Sequence, residues 1–128
     1  MQVMELEMNG KTYQFKAGMK FIQKANKKQF IINEGIRVDV GLTLMIGNIM
    51  EGDVMALCDA LLLMNEGMDP RVTENTIDEY LEDEDTDIET LFEKVIDFFK
   101  MSNCTKKTVQ KLEEEKKEKE KEKQKQKI

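Results

Sequence analysis

Histidine and tryptophan are absent from this chain of 128 residues, and proline occurs once, at Pro70. Without histidine the chain lacks the commonest general base and the commonest metal ligand. Without tryptophan nothing suggests an aromatic platform for a sugar beside a carboxylate pair. Cysteine is scarce as well: Cys58 and Cys104 lie far apart, and no CxxC pair exists. Cys58 falls in an apolar helical stripe and reads as a buried free thiol. No apolar run approaches the ~20 residues needed to cross a bilayer. The opening Met1-Gln2-Val3-Met4-Glu5 carries acid where a signal peptide would carry positive charge and then an apolar run. No P-loop, dinucleotide fingerprint or nucleophile elbow occurs. These absences lead us to expect a cytoplasmic protein with reduced cysteines, no membrane association, no cofactor and no enzymatic activity.

One acidic run imitates a metal site. Asp83-Glu84-Asp85-Thr86-Asp87 copies the alternating acids that open a calcium loop of the EF-hand type. Counting on, Ile88 stands at the sixth position, where glycine is needed, and Lys94 at the twelfth, where a bidentate glutamate is needed. The run reads instead as an acidic helix start, favoured by the helix dipole.

Charge is present in quantity and unevenly placed. Residues 1–101 hold 20 acids and 10 bases, whereas residues 102–128 hold 6 acids and 10 bases. An acidic body repels nucleic acid and favours basic or neutral partners. The mixed-charge C-terminal segment is no basic arm, which also argues against nucleic acid.

The patterning divides the chain into a folded part, 1–101, and a charged tail, 102–128. Met4, Leu6 and Met8 alternate with Glu5 and Glu7, and Tyr13 and Phe15 alternate with polar neighbours across Asn9-Gly10. This predicts a hairpin with a two-residue turn, Leu6 opposite Tyr13 and Met4 opposite Phe15, whose shared apolar face needs a cover. After Gly18 a helix is expected near 19–29 with Met19, Ile22 and Ala25 inward. Phe30-Ile31-Ile32 fits either a helix end or a short extended stretch, and Asn33-Glu34-Gly35 reads as a turn. Asp39 is placed to cap a helix near 40–50 carrying Leu42, Met45, Ile46 and Ile49. Gly41 and Gly47 weaken that helix by ~1 kcal/mol each relative to Ala, and also permit close helix approach.

Asp53 then caps a helix near 54–66 with Val54, Leu57, Cys58, Leu61 and Leu62 in a stripe. Thr73 caps one near 74–83 with Ile77, Tyr80 and Leu81 inward. Thr86 and Glu89 form a capping box for a fifth, which carries Ile88, Leu91, Phe92, Val95, Ile96 and Phe99. The expected core is Leu6, Tyr13, Phe15, Leu57, Leu61, Ile88, Phe92, Val95, Ile96 and Phe99. Beyond Lys111 the chain is almost wholly Lys, Glu and Gln, so a solvated fraying helix and a disordered tail both fit. The expected fold class is α+β: an N-terminal β-hairpin on a mainly α-helical domain of about five helices.

Ten methionines are unusual for this length. Met side chains are flexible and polarizable, so Met-rich surfaces re-pack around varied apolar partners. Met45 and Met64 lie in apolar stripes and read as core. Met50, Met55 and Met68 fall beside helix ends and are the better candidates for a client-binding surface.

The order of these features resembles a known family. Met4-Glu5-Leu6-Glu7-Met8-Asn9-Gly10-Lys11-Thr12-Tyr13 is similar to the start of tail assembly chaperones of long-tailed phages of Gram-positive bacteria. The Gly41-Leu42 helix, Gly52-Asp53, the Pro70–Thr73 loop, Ile77-Asp78-Glu79-Tyr80-Leu81 and Ser102-Asn103-Cys104-Thr105-Lys106-Lys107 follow in that family's order. The resemblance covers about residues 4–112. It implies a chaperone that binds the tape measure protein, keeps it soluble and helps recruit tail tube protein, and that is missing from the mature virion.

The resemblance also implies a programmed ribosomal frameshift that adds a second domain to a minority of chains. Lys106-Lys107 and Lys116-Lys117 could each be encoded by a run of adenines on which a ribosome slips; a purely solubilising arm is the other reading of the tail. A homo-oligomer is compatible with this picture. Two other classes are weighed against it: an acidic regulatory adapter or nucleic-acid mimic that binds another phage or host protein, and a metal-dependent enzyme built on carboxylates alone.

Overall fold

The computed structural model describes the backbone of residues 2–126 and the side chains of residues 2–123. The fold is α+β. Strands β1 (Met4–Met8) and β2 (Lys11–Phe15) form an antiparallel hairpin with Met4 opposite Phe15 and Leu6 opposite Tyr13, the expected register. Asn9 and Gly10 take φ of 53° and 80°, the left-handed pair that a two-residue hairpin turn needs. Met4, Leu6, Met8, Tyr13 and Phe15 all point to one buried face. Helices α3 (Val54–Asn65) and α4 (Glu74–Glu82) supply its cover.

The remaining elements are α1 (Met19–Asn26), a second hairpin of β3 (Phe30–Asn33) and β4 (Ile36–Asp39), then α2 (Gly41–Met50), α5 (Ile88–Met101) and α6 (Lys106–Gln126). The described residues thus hold six helices and two separate two-stranded sheets. Helix α2 lies in the middle, against α1, α3, α5 and α6. Its Leu42, Met45, Ile46 and Ile49 are buried, as the stripe requires. Helix α3 buries Leu57 and Leu61 along with Ala56, Ala60 and Met64, while Val54 is exposed and Cys58 and Leu62 are half-buried. The small Ala56 and Ala60 centre the buried face, rotating it away from the larger side chains of the expected stripe.

Several local expectations are corrected. Asp39 does not cap α2: it lies in β4 and accepts a hydrogen bond from Arg37 Nε at 3.1 Å, and the N-cap is Val40 without a side-chain cap. In α1 the inward aromatic is Phe21, whereas Met19 is exposed. Helix α5 starts one residue later than the Thr86–Glu89 box implied. Its cap is Asp87, whose carboxylate accepts from Thr90 N at 3.1 Å and Thr90 Oγ1 at 2.7 Å. Those bonds, the Thr90 side-chain bond foremost, hold the Asp87 carboxyl below its usual range.

The apolar arc of α5 is wider than its core contact. Leu91, Val95, Phe98 and Phe99, at i, i+4, i+7 and i+8, are buried. Phe92, Ile96 and Ile88 form the adjoining i, i+4 row and are only half-buried. Phe99 stacks on Phe21 with ring centroids 5.9 Å apart, joining α5 to α1.

The packed body also continues beyond 101. Ser102 and Thr105 are buried, and their hydroxyls donate to the carbonyls of Phe98 and Phe99 at 2.8 and 2.7 Å, which turns the chain into α6. Val109 is buried and Leu112 half-buried against α2 and α5. These two side chains anchor a helix whose later residues have no apolar face. From Glu114 to Lys123 every side chain is exposed, and among the described residues the ion pair of this stretch is Lys116 with the exposed Glu51, at 4.0 Å. Exposed ion pairs of this kind contribute little. Ending the chain after Glu113 should therefore shift Tm by less than about 2 °C, measured by thermal circular dichroism, whereas Val109→Ser should lower it by several times as much.

Asn65, the last residue of α3, is completely buried and ties three segments together. Its Nδ2 donates to the carbonyls of Gln14 (2.9 Å) and Pro70 (3.2 Å), and its Oδ1 accepts from Val72 N (2.6 Å) and Arg71 (3.0 Å). Asn65→Ala would strand these backbone groups away from water. The expected loss is about 2–3 kcal/mol, since each unsatisfied buried group costs about 1–3 kcal/mol. A urea midpoint equal to that of the parent would show that water replaces the amide.

Candidate functional site

The hairpin β3–β4 is built like the first hairpin but lacks its cover. Phe30-Ile31-Ile32 and Ile36-Arg37-Val38 flank a turn in which Glu34 and Gly35 take φ of 52° and 78°. Ile31 pairs with Val38, Asn33 with Ile36, Phe30 with Asp39 and Ile32 with Arg37. Directly opposed residues share a face, so Ile31, Val38 and Ile36 lie together on one side and Phe30 and Ile32 on the other. On the second side Arg37 sits over the Phe30 ring, 4.1 Å from its centroid, and pairs with Asp39. The five apolar side chains are between 39 and 67 % exposed. Exposed apolar side chains clustered on one element, unlike single scattered ones, point to an interaction site, and this hairpin carries three on one face and two on the other.

A methionine-lined cleft forms a second apolar surface. Met19, Met68 and Met101 gather from α1, the α3–α4 loop and the end of α5 around Phe21 and Leu63, in a cleft of about 1040 Å³. Cys104 lies at its edge, its Sγ 3.9 Å from Met19 Sδ. On the rim Glu66 accepts from Lys24, and that hydrogen bond holds the carboxyl below its usual range.

The methionines singled out from the sequence are not brought together. Met50 is half-buried against the core beside Gly47 and Leu112, Met68 lines the large cleft, and Met55 stands alone and 72 % exposed in the first turn of α3. Sequence reasoning missed Met19 and Met101, which join Met68 only through the fold. It also missed the second hairpin, although the apolar residues on both sides of Glu34-Gly35 carried a signal for it.

Burial pushes the Cys58 thiol up, with Asp78, Asp59 and Glu74 adding to the shift. Among the described residues no group of three or more His, Cys, Asp or Glu is placed to hold a metal ion. No helix among them is long and apolar enough to cross a membrane.

Charge divides the body as sharply as burial does. Six of the ten bases in residues 1–101 lie between 16 and 39, with only two of the twenty acids. The exposed hairpin therefore belongs to a basic stretch of an otherwise acidic body.

Neither the curated proteins nor the solved structures contain a match to the chain. The family model described as phage tail assembly chaperone protein, TAC, matches residues 5–114, from β1 into α6 and across both apolar surfaces. The chain belongs to this family of phage tail assembly chaperones.

Proposed function

We propose that this chaperone binds the tape measure protein, keeps it soluble before assembly and helps bring tail tube subunits to it. It does so by reversible contact and without catalysis, in the host cytoplasm, and leaves before the virion is complete. The observation that carries this reading is the β3–β4 hairpin, whose apolar side chains are left in water by a body that packs the rest of its core well. Uncovered apolar surface is costly to a free monomer and useful to a protein that must shield another. The acidic body, 20 acids against 10 bases through residue 101, keeps the pair in solution by like-charge repulsion between complexes.

Co-expression with the tape measure protein tests the reading. The soluble fraction of that protein should rise several-fold, and the two should elute together on gel filtration. An unchanged soluble fraction would remove the tape measure protein as client. Chemical cross-linking with tail tube protein added to the complex tests recruitment, and its absence would confine the function to the first step.

A further inference from the structure

We propose that the Ile31–Ile36–Val38 face of the second hairpin, with the lysines at its base, docks an acidic amphipathic helix of the client protein. The proposal rests on the chaperone reading and adds the chemistry of the segment recognised. Three observations select this occupant.

The first is which face is free. On the other side Phe30 and Ile32 are exposed too, but Arg37 lies over the Phe30 ring and pairs with Asp39, so charge interrupts that apolar surface. Ile31, Ile36 and Val38 face out with only Asn33 among them.

The second is the precedent inside the same molecule. Both hairpins are antiparallel ribbons closed by a two-residue turn with positive φ at both central positions. A two-stranded ribbon is at best marginal in water until its apolar face is covered. For the first hairpin the cover is helical, α3 and α4 lying against it. The second hairpin presents an apolar face of the same construction, and a helix with an apolar stripe meets the same requirement.

The third is charge. Lys27 and Lys28 sit immediately before β3, both exposed, and neither forms an ion pair among the described residues. Lys20 is exposed on the preceding helix but lies near Glu66, which also pairs with Lys24, so Lys27 and Lys28 are the cations the charge argument uses. The only acids between residues 16 and 39 are Glu34, at the hairpin tip, and Asp39, already held by Arg37. A helix whose polar flanks carry Asp and Glu gains from this sector, whereas a basic helix is repelled by it. Complementarity of this kind governs partner choice and association rate more than affinity.

The test uses the full chain and four fluorescein-labelled 20-residue peptides, read by anisotropy. One is an acidic amphipathic helix; the second keeps its apolar stripe with lysine in place of each acid. The third keeps its composition with the stripe scrambled, and the fourth interrupts the helix with two prolines. The first should bind at least ten-fold more tightly than each of the others, and raising the salt should weaken it. Ile31→Ser/Ile36→Ser and Lys27→Glu/Lys28→Glu should each lose at least ten-fold with the helical circular dichroism signal retained; Lys27→Glu/Lys28→Glu, outside the strands, should also leave Tm unchanged and so separates loss of the site from loss of the ribbon. Lys111→Glu, on α6, should bind as the parent does. Equal binding of the basic peptide overturns the charge argument, and equal binding of the proline peptide overturns the helix. Parental binding by Ile31→Ser/Ile36→Ser overturns the site.

A second copy as the occupant would appear in sedimentation as a parental oligomer that this double variant dissociates, with no peptide bound, and would overturn the proposal. Co-expression separates it from the reading beneath it. If the double variant still solubilises the tape measure protein, the hairpin proposal fails and the chaperone reading stands. If the parent binds the acidic helix but solubilises nothing, the client assignment fails and the docking surface stands.

Discussion

Replacing Phe99 with Ala should destabilise the fold by about 3–5 kcal/mol, the range for a fully buried Phe that leaves a cavity. The residue has no solvent exposure. Its ring stacks on Phe21 at 5.9 Å, and its carbonyl accepts the Thr105 hydroxyl that turns the chain into α6. The cavity would open between α1 and α5, whose backbones are fixed by other contacts, so collapse around it is limited. At about 4 °C per kcal/mol for a domain of this size, Tm should fall by roughly 12–20 °C. Phe92→Ala is the control. Phe92 lies on the same helix but is half-buried, so roughly half that loss is expected. Equal losses in the two variants would mean that the i, i+4 row of Ile88, Phe92 and Ile96 packs as closely as the row carrying Phe99.

That comparison marks where the sequence was informative. Apolar spacing located α5 and most of its inward residues, because a helical stripe is a local property of the chain. It left open which edge of a wide arc faces the core, since that depends on where α1 and α2 lie. The first hairpin was legible down to its register because Asn9-Gly10 favours positive φ at both turn positions. The second was half-legible: Glu34 adopts φ of 52° without being a residue that favours it, so the turn was visible and the pairing across it was not. Asn65 gave no local signal at all, since its partners come from residues 14 and 70–72. The methionine cleft assembles Met19, Met68 and Met101 from three parts of the chain, and no window of sequence contains them together. What the candidate sites share is dependence on tertiary placement, whereas the helices and the first hairpin are written locally.

Two glycines in one helix give the sharpest separation between local and tertiary effects. On helix propensity alone, Gly41→Ala and Gly47→Ala in α2 should each stabilise by about 1 kcal/mol. The structure predicts opposite signs. A Cβ on Gly41 would stand 2.0 Å from the carbonyl oxygen of Ala25 and 2.9 Å from that of Asn26. Both are backbone atoms, so no rotamer change relieves the overlap. Helix α2 would have to move away from α1, disturbing Leu42 and Ala25, which are buried near the contact. Overpacking typically costs about 1–3 kcal/mol and occasionally more; a clash this short against fixed backbone places Gly41→Ala at about 3 kcal/mol or above. Gly47 is different, because its added Cβ would meet only Leu112 side-chain carbons, the nearest at 3.7 Å, an ordinary contact. Gly47→Ala should therefore keep most of its propensity gain and raise Tm by a few degrees. Urea unfolding of the two single variants decides the matter. A stabilised Gly41→Ala would show that α1 and α2 are not pressed together at that residue, and a strongly destabilised Gly47→Ala would show that α6 lies closer to α2 than Leu112 allows.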